Sequence, residues 1–546
     1  MKIGKVSATE KSPTTNDEFI FWVEDNFEIK PFDIIKAANN IGDKKSITYA
    51  IVKDIYYVTD SPGHIGNYIS SDFGDLNSAP TTRRLGVTYA QAEVIHNNKD
   101  VYMPLRDGIL IEFANEEEIK EALGLDKIKN PIPAGFLDVS NDITVPICFN
   151  SDFLIGPEGA HLNISGISGL ATKTSYAMFL LQAVQQTRND VAIIILNVKG
   201  NDLLRIDEQN PLLQDAHKSG WVKTCLECKP FTNVKCFYPF KNDGENFCCN
   251  TSCEKDALQE QFQDKKAFTY IYTYAHDKHN IDLLFSNIDD PQFTMESILN
   301  FVLEQSEFDD LDWDSFKQTL GEYTKKGHGK NKEITVQSWR KFTRLIKKSI
   351  TNQIFQKSIS GEKAKRQCHI SDEVKKIQKG EVFVIDIAKL EEQLQGFVFG
   401  DILQAVSELK FGETDRSEDD IPKKIIIFVD ELNKYASENT PKNSPILKNL
   451  LEITERGRSE GIILFSAEQF KSAIHDRVKG NCSTHIYGRT NAIETSKPDY
   501  KYIPKTFTNM MTRLDTGELI VQHPIFKTLL KIKFPYPSYY QRKGDK

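Results

Sequence analysis

Two short stretches of this chain hold residue types suited to phosphate and cation chemistry. The first is Gly166-Ile-Ser-Gly169-Leu-Ala-Thr172-Lys173-Thr174-Ser175, which lies between His161-Leu-Asn-Ile-Ser165 and the apolar, helix-like run Tyr176–Val184. Glycines, a lysine and hydroxyls ahead of a helix are the parts of a phosphate-binding loop. The helix start offers free N–H groups and a positive dipole end to the anion. Lys173 would reach the β- and γ-phosphates, and Thr174 or Ser175 would hold Mg²⁺. The spacing departs from G-x-x-x-x-G-K-S/T. Ile167 and Thr172 stand in the two glycine slots, Gly166 falls one residue before the first slot, and Gly169 falls three before the second. Alone, the stretch reads as a modified loop or as a plain strand–turn–helix junction.

The second stretch is Lys423-Lys-Ile-Ile-Ile-Phe-Val-Asp430-Glu431, an apolar strand ending in paired carboxylates. In parallel sheets ligands bind beyond the carboxyl ends of strands. Phosphoryl transfer needs one carboxylate for Mg²⁺ and one group to orient the attacking water. Asp430 suits the first role and Glu431 the second, with Thr174 and Asp430 as the metal pair. Further along, a predicted helix over Leu447–Glu460 carries Arg458. It is followed by the strand Ile462–Ser466 and by Gln469, an amide placed to sense the terminal phosphate. Arg489 lies near the end of the next apolar segment. Arginines at such edges act as fingers on a neighbouring subunit's nucleotide.

These residues need a scaffold, and the pattern indicates a parallel α/β sheet. Apolar runs at Ala192–Leu196, Phe268–Tyr272, Val382–Ile387, Ile425–Val429 and Ile462–Ser466 have no polar alternation, as expected of strands covered on both faces. Residues 1–112 read differently. Short β-type runs at Lys2–Val6, Phe19–Val23, Ile47–Tyr57, Gly86–Val94 and Gly108–Phe113 are separated by turn residues such as Asn39-Asn-Ile-Gly, which indicates a small barrel or sandwich, of which the barrel is the expectation carried forward. The expected organisation is a barrel over 1–112, a linker over 113–135 and an α/β core over 136–274 and 381–530. A charged helical insertion falls at 275–380 and an extended arm at 531–546.

The 546 residues carry a net charge of −8, with 39% apolar and 27% charged residues. A uniformly basic surface is excluded, so nucleic-acid contact would be confined to a groove or pore. No apolar run approaches the roughly 20 residues of a membrane span, and Met1–Val6 lacks a signal-peptide core, so a cytoplasmic protein with no membrane contact is expected. Six of the nine cysteines fall between Cys225 and Cys253. Such clustering suggests metal before disulfide. The irregular spacing, and the strand-like setting of Cys236, fit reduced thiols instead.

Taken in order, "HLNISGISGLATKTS", "IIIFVDELNKYA", "ITERGRSEGIILFSAEQF", "NCSTHIYGRTN" and "LDTGELIVQHPIF" resemble the HerA branch of the FtsK/HerA motor ATPases. The resemblance covers about 136–530 by motif and the barrel by architecture only. It implies a RecA-like P-loop ATPase core with ATP and Mg²⁺ as cofactors. It implies a homo-hexameric ring translocating double-stranded DNA through its pore. It further implies an effector docked on the N-terminal barrel, a nuclease or a sirtuin-like NAD-consuming enzyme, in some cases in anti-phage defence. Carried over, Lys173 and Thr174 match the phosphate loop, Asp430 and Glu431 the acidic strand end, Gln469 the sensor and Arg458 the helix–glycine–strand turn. Arg489 is a weaker match. The family loop reads G-x-S/T-G-x-G-K-S/T. Here the second half is one residue longer, with Ala171-Thr172 where one glycine is expected. An ATP-binding ring that assembles an effector without moving DNA is the alternative, and an ATPase acting on protein is a third. Glu431 favours turnover over a pure scaffold.

Overall fold

The computed structural model describes residues 1–41, 44–77, 85–167, 172–242, 248–290, 292–325, 334–361, 366–412 and 416–541. Six antiparallel strands close the N-terminal barrel: β1 (Lys2–Ser7), β2 (Glu18–Val23), β3 (Ile34–Ile41), β4 (Lys44–Thr59), β5 (Gly86–Asn97) and β6 (Leu110–Phe113), in the order β1-β2-β5-β4-β3-β6. The sequence pattern misses β3. Asn39 and Asn40, expected in a turn, pair instead with Ser46 and Lys45. Asn39 is buried because its amide donates to the Met103 carbonyl. Closure removes the sheet edges, which is how so small a β-unit avoids unpaired backbone.

The second body is one large sheet. Nine strands run parallel in the order β15 (Gln367–Cys368), β12 (Ala267–Tyr270), β11 (Val234–Pro239), β16 (Val382–Asp386), β10 (Val191–Asn197), β17 (Lys424–Asp430), β18 (Ile462–Glu468), β9 (Leu162–Ser165) and β19 (Thr484–Tyr487). Four antiparallel strands extend it: β20 (Glu518–Gln522), β21 (Leu530–Lys533), β7 (Pro131–Asp138) and β8 (Thr144–Asn150). Side chains alternate between two apolar layers. Ile193 and Ile195 of β10 enter one core, and Ala192, Ile194 and Leu196 enter the other. That two-sided burial is why the central strands are apolar throughout.

The Pro-containing stretch expected within a connecting segment is β7. Its prolines are tolerated because only β8 lies outside it and a bulge falls between Pro133 and Gly135. Helix Glu116–Leu123 carries a capping box from Asn115 and Glu118, and its Ile119, Ala122 and Leu123 share a core with Ile34 and Tyr49 of the barrel. The insertion is mainly helical (Thr294–Glu304, Trp313–Tyr323, Val336–Ile350, Ile370–Lys375), with two short strands, β14 (Phe355–Gln356) and β15. Of the expected arm, residues 531–533 belong to β21, and the chain beyond them runs extended along the core.

Candidate active site

The register brings the ends of four strands together. β18 lies between β9 and β17, with Asp430 opposite Ala467 and Glu468 opposite Ser165, and β10 flanks β17 on its other side. The loop after β9 begins at Gly166, with φ 154°. A Cβ there would stand 3.1 Å from both the Arg489 carbonyl oxygen and the Gly488 Cα, so the backbone approach requires glycine. Ile167 donates its N–H to the Arg489 carbonyl at 2.7 Å. Gly169 lies outside the described residues. The following helix, Thr172–Thr187, is apolar around its circumference and buried as far as Val184. Its burial carries Thr172, Lys173 and Ser175 into the interior. Lys173 Nζ donates to the Gly166 carbonyl at 2.5 Å. Burial depresses the Lys173 ammonium pKa, and Asp430 works against that effect.

At the end of β17 the chain turns through a left-handed residue, Glu431, with φ 61°. Non-glycine residues rarely occupy this region, and such strain collects at functional sites. The Glu431 N–H donates to the Ala467 carbonyl at 2.6 Å, which holds the turn. Asp430 faces the loop helix, where Thr174 Oγ1 donates to its Oδ2 at 3.3 Å. Residues 256 positions apart thus meet. Glu431 receives Lys199 Nζ at 2.7 Å and Lys434 Nζ at 2.9 Å. Burial alone would raise its pKa, but the two ammonium groups outweigh burial and hold the carboxyl down at about 2. Gln469 Nε2 lies 3.5 Å from Glu431 Oε1. Together with Asn197, Lys199, Asp202 and Tyr539, the loop and Asp430 enclose a cleft of about 240 Å³.

The donor set fits Mg²⁺. The ion takes oxygen ligands at about 2.1 Å in octahedral geometry, which places adjacent ligands about 3 Å apart. The Thr174 and Asp430 oxygens are already close to that separation, and Asp430 Oδ1 is buried with no hydrogen-bond partner among the described residues.

Sequence patterning missed four contributors. Lys199 follows β10 at the same sheet end, so the strand-end rule that found Asp430 also points to it. Glu468 closes β18 and is fully buried beneath the loop, accepting from Asn163, while its carbonyl accepts the Gly166 N–H at 3.2 Å. Burial raises its pKa to about 8. Tyr539 and Gln541 come from the C-terminal segment. Two expected residues stand apart. Arg458 lies at the opposite end of the sheet, where its guanidinium donates to the Glu158 carbonyl at 2.9 Å near Lys423 and Gly461. Arg489 touches the loop through its carbonyl, and its side chain is exposed. Cys148, Cys225, Cys228, Cys236, Cys253, Cys368 and Cys482 form no disulfide. The grouping of His, Cys, Asp and Glu that converges closely enough for a metal, among the described residues, is His276, Asp277 and His369, without cysteine.

No family model matches the chain, and no curated protein matches it. Among solved structures it is similar to the bacterial conjugative coupling protein TrwB lacking 70 N-terminal residues, at 10% identity, covering 73% of this chain and 89% of that one, with a TM-score of 0.44. TrwB with the ATP analogue ADPNP matches at 10% identity over 70% and 87%, with a TM-score of 0.42. The genome packaging NTPase B204 of Sulfolobus turreted icosahedral virus 2 with ATP-γS matches at 16% identity over 30% and 72%, with a TM-score of 0.23. Similarity at these levels carries no functional weight. The RecA-like α/β fold follows from this chain's own strand order, in which β9 and β17 are separated by the single strand β18.

Proposed function

We propose that this chain is a Mg²⁺-dependent ATPase. The observation that carries the proposal is the meeting of Lys173 and Thr174 with Asp430 and Glu431 at the carboxyl ends of β9 and β17, the two parallel strands that flank β18. Thr174 and Asp430 would hold Mg²⁺, which supplies charge neutralisation on the β- and γ-phosphate oxygens. Lys173, held by the Gly166 carbonyl, exchanges that acceptor for phosphate oxygens. With its pKa held down at about 2 by Lys199 and Lys434, Glu431 is a carboxylate at neutral pH. A carboxylate with so low a pKa is a poor proton store, so its role is to orient the attacking water, with Gln469 beside it. Lys199 neutralises the acidic pair and lies within reach of a terminal phosphate.

The test is paired. Lys173→Ala loses nucleotide binding, while Glu431→Gln retains binding and loses about two to three orders of magnitude in turnover. Normal turnover by Glu431→Gln refutes the assignment of that residue.

The finer reading follows the family resemblance: a hexameric ring that translocates duplex DNA and serves an effector, as in anti-phage defence. Arg458 supports the ring. It cannot reach its own protomer's cleft from the far end of the sheet, so any catalytic role lies across a subunit boundary. Mixing Lys173→Ala with Arg458→Ala subunits then restores activity, and no restoration at any ratio argues against a shared site. Docking on the barrel is supported by exposed apolar side chains at the tip of the β4–β5 hairpin, among them Tyr57, Ile65, Tyr68, Phe73 and Leu76. Clusters of this kind mark interaction surfaces.

A further inference from the structure

The segment after β21 crosses the core and ends against the loop helix. Trp221 Nε1 donates to the Tyr536 carbonyl at 2.8 Å, and Asn210 Nδ2 donates to the Pro537 carbonyl at 2.7 Å. Gln182 Nε2 donates to Ser538 Oγ at 2.9 Å from within the loop helix itself. Gln209 and Tyr539 form a β-bridge, and the Arg205 guanidinium lies 3.8 Å above the Tyr540 ring. This anchoring places Tyr539, only 2% exposed, in the wall of the cleft. Lys173 and Thr174 face Asp430, which fixes the end of the cleft where terminal phosphates belong. Ser175, Asp202, Leu203, Tyr539 and Gln541 line the same cleft as Lys173, Thr174 and Asp430.

We infer that Tyr539 and Gln541 form the sugar-side wall of the nucleotide site, so that the C-terminal segment recognises the nucleoside end of the ligand and is itself held by it. This rests on the ATPase reading above. The chemistry is simple. A phenol and a carboxamide offer donors and acceptors to ribose hydroxyls, and neither is charged, so they discriminate without adding to phosphate affinity. Phosphate-only ligands miss this wall.

The experiment compares ATP and inorganic tripolyphosphate by calorimetry, with Mg²⁺, on the full-length chain and on Gln541→Ala and Tyr539→Phe. Both substitutions spare the packing of the segment, since Gln541 is only part-buried and phenylalanine keeps the ring. Loss of one or two hydrogen bonds raises the Kd for ATP roughly three- to tenfold and leaves tripolyphosphate unchanged. Hydrogen exchange supplies a second readout: amides of 534–541 gain protection with ATP and not with tripolyphosphate. Equal weakening of both ligands, or none, with no selective protection, overturns the inference while leaving the ATPase reading intact. Failure of the unaltered chain to bind either ligand overturns both.

Discussion

Replacing Glu468 by glutamine tests whether a carboxylic acid is carried neutral beneath the phosphate loop. The side chain is wholly inaccessible, accepts from Asn163 Nδ2, and has one oxygen, Oε2, without a partner among the described residues. Burial lifts its pKa from 4.5 to about 8. The folded chain therefore keeps a proton that the unfolded chain releases above about pH 4.5. Because the unfolded state binds fewer protons in that window, stability falls as pH rises from about 4.5 to about 8. The slope is about 1.4 kcal/mol per pH unit, which amounts to about 3 kcal/mol near pH 7. Glutamine reproduces the neutral acid and has no proton to lose. Urea unfolding followed by tryptophan fluorescence at pH 5, 6, 7 and 8 should show the variant gaining on the parent steadily, with near equality at pH 5. Parallel pH dependences, or a variant weaker at pH 8 than at pH 5 relative to the parent, would falsify a buried neutral Glu468.

Three other expectations concern separate parts of the molecule. Lys199→Met removes an ammonium 2.7 Å from Glu431, so the Glu431 pKa rises from about 2; an acid limb should then enter the pH–rate profile above pH 4, and superimposable profiles would discount Lys199. Gly166→Ala forces a Cβ to within 3.1 Å of the Arg489 carbonyl at φ 154°, which costs on the order of 1–3 kcal/mol and weakens ATP binding; full affinity in calorimetry would show that the loop approach is not tight. His276 donates to Asp277 at 2.8 Å, lies 3.2 Å from Asp372 and stacks on His369, and the Asp277 hydrogen bond raises its pKa to about 9. Its contribution is complete below about pH 6.5 and is lost as pH rises through about 9. The stability advantage of the parent over His276→Gln should therefore shrink between pH 7 and 10, and a constant gap would refute the ion pair.

Several determinants are written locally in the chain. Unbroken apolar runs such as Ile425–Val429 can only be strands buried on both faces, because no half-exposed strand tolerates them. Two acids at the end of such a run must then sit at the ligand-binding end of the sheet. Lysine and threonine opening a helix are compatible with an anion site, but alone they fit a plain strand–turn–helix junction equally well. The barrel was legible for the same reason, except β3, whose buried asparagines look like a turn until Met103 satisfies one of them. Tertiary structure decided what depends on strand order and register. Nothing local in Ala467-Glu468-Gln469 says that Glu468 points under the loop and Gln469 toward Glu431; that follows from β18 being inserted between β9 and β17. The distance of Arg458 from the cleft follows from the direction of β18, since a residue just before a strand and a residue just after it lie at opposite ends of the sheet. The placement of Lys199 and Tyr539 depends on which chain ends meet across the sheet. Periodicity records which side chains are buried, because burial is a one-residue property, whereas adjacency between distant residues is a property of the pair and is settled only when the whole core packs.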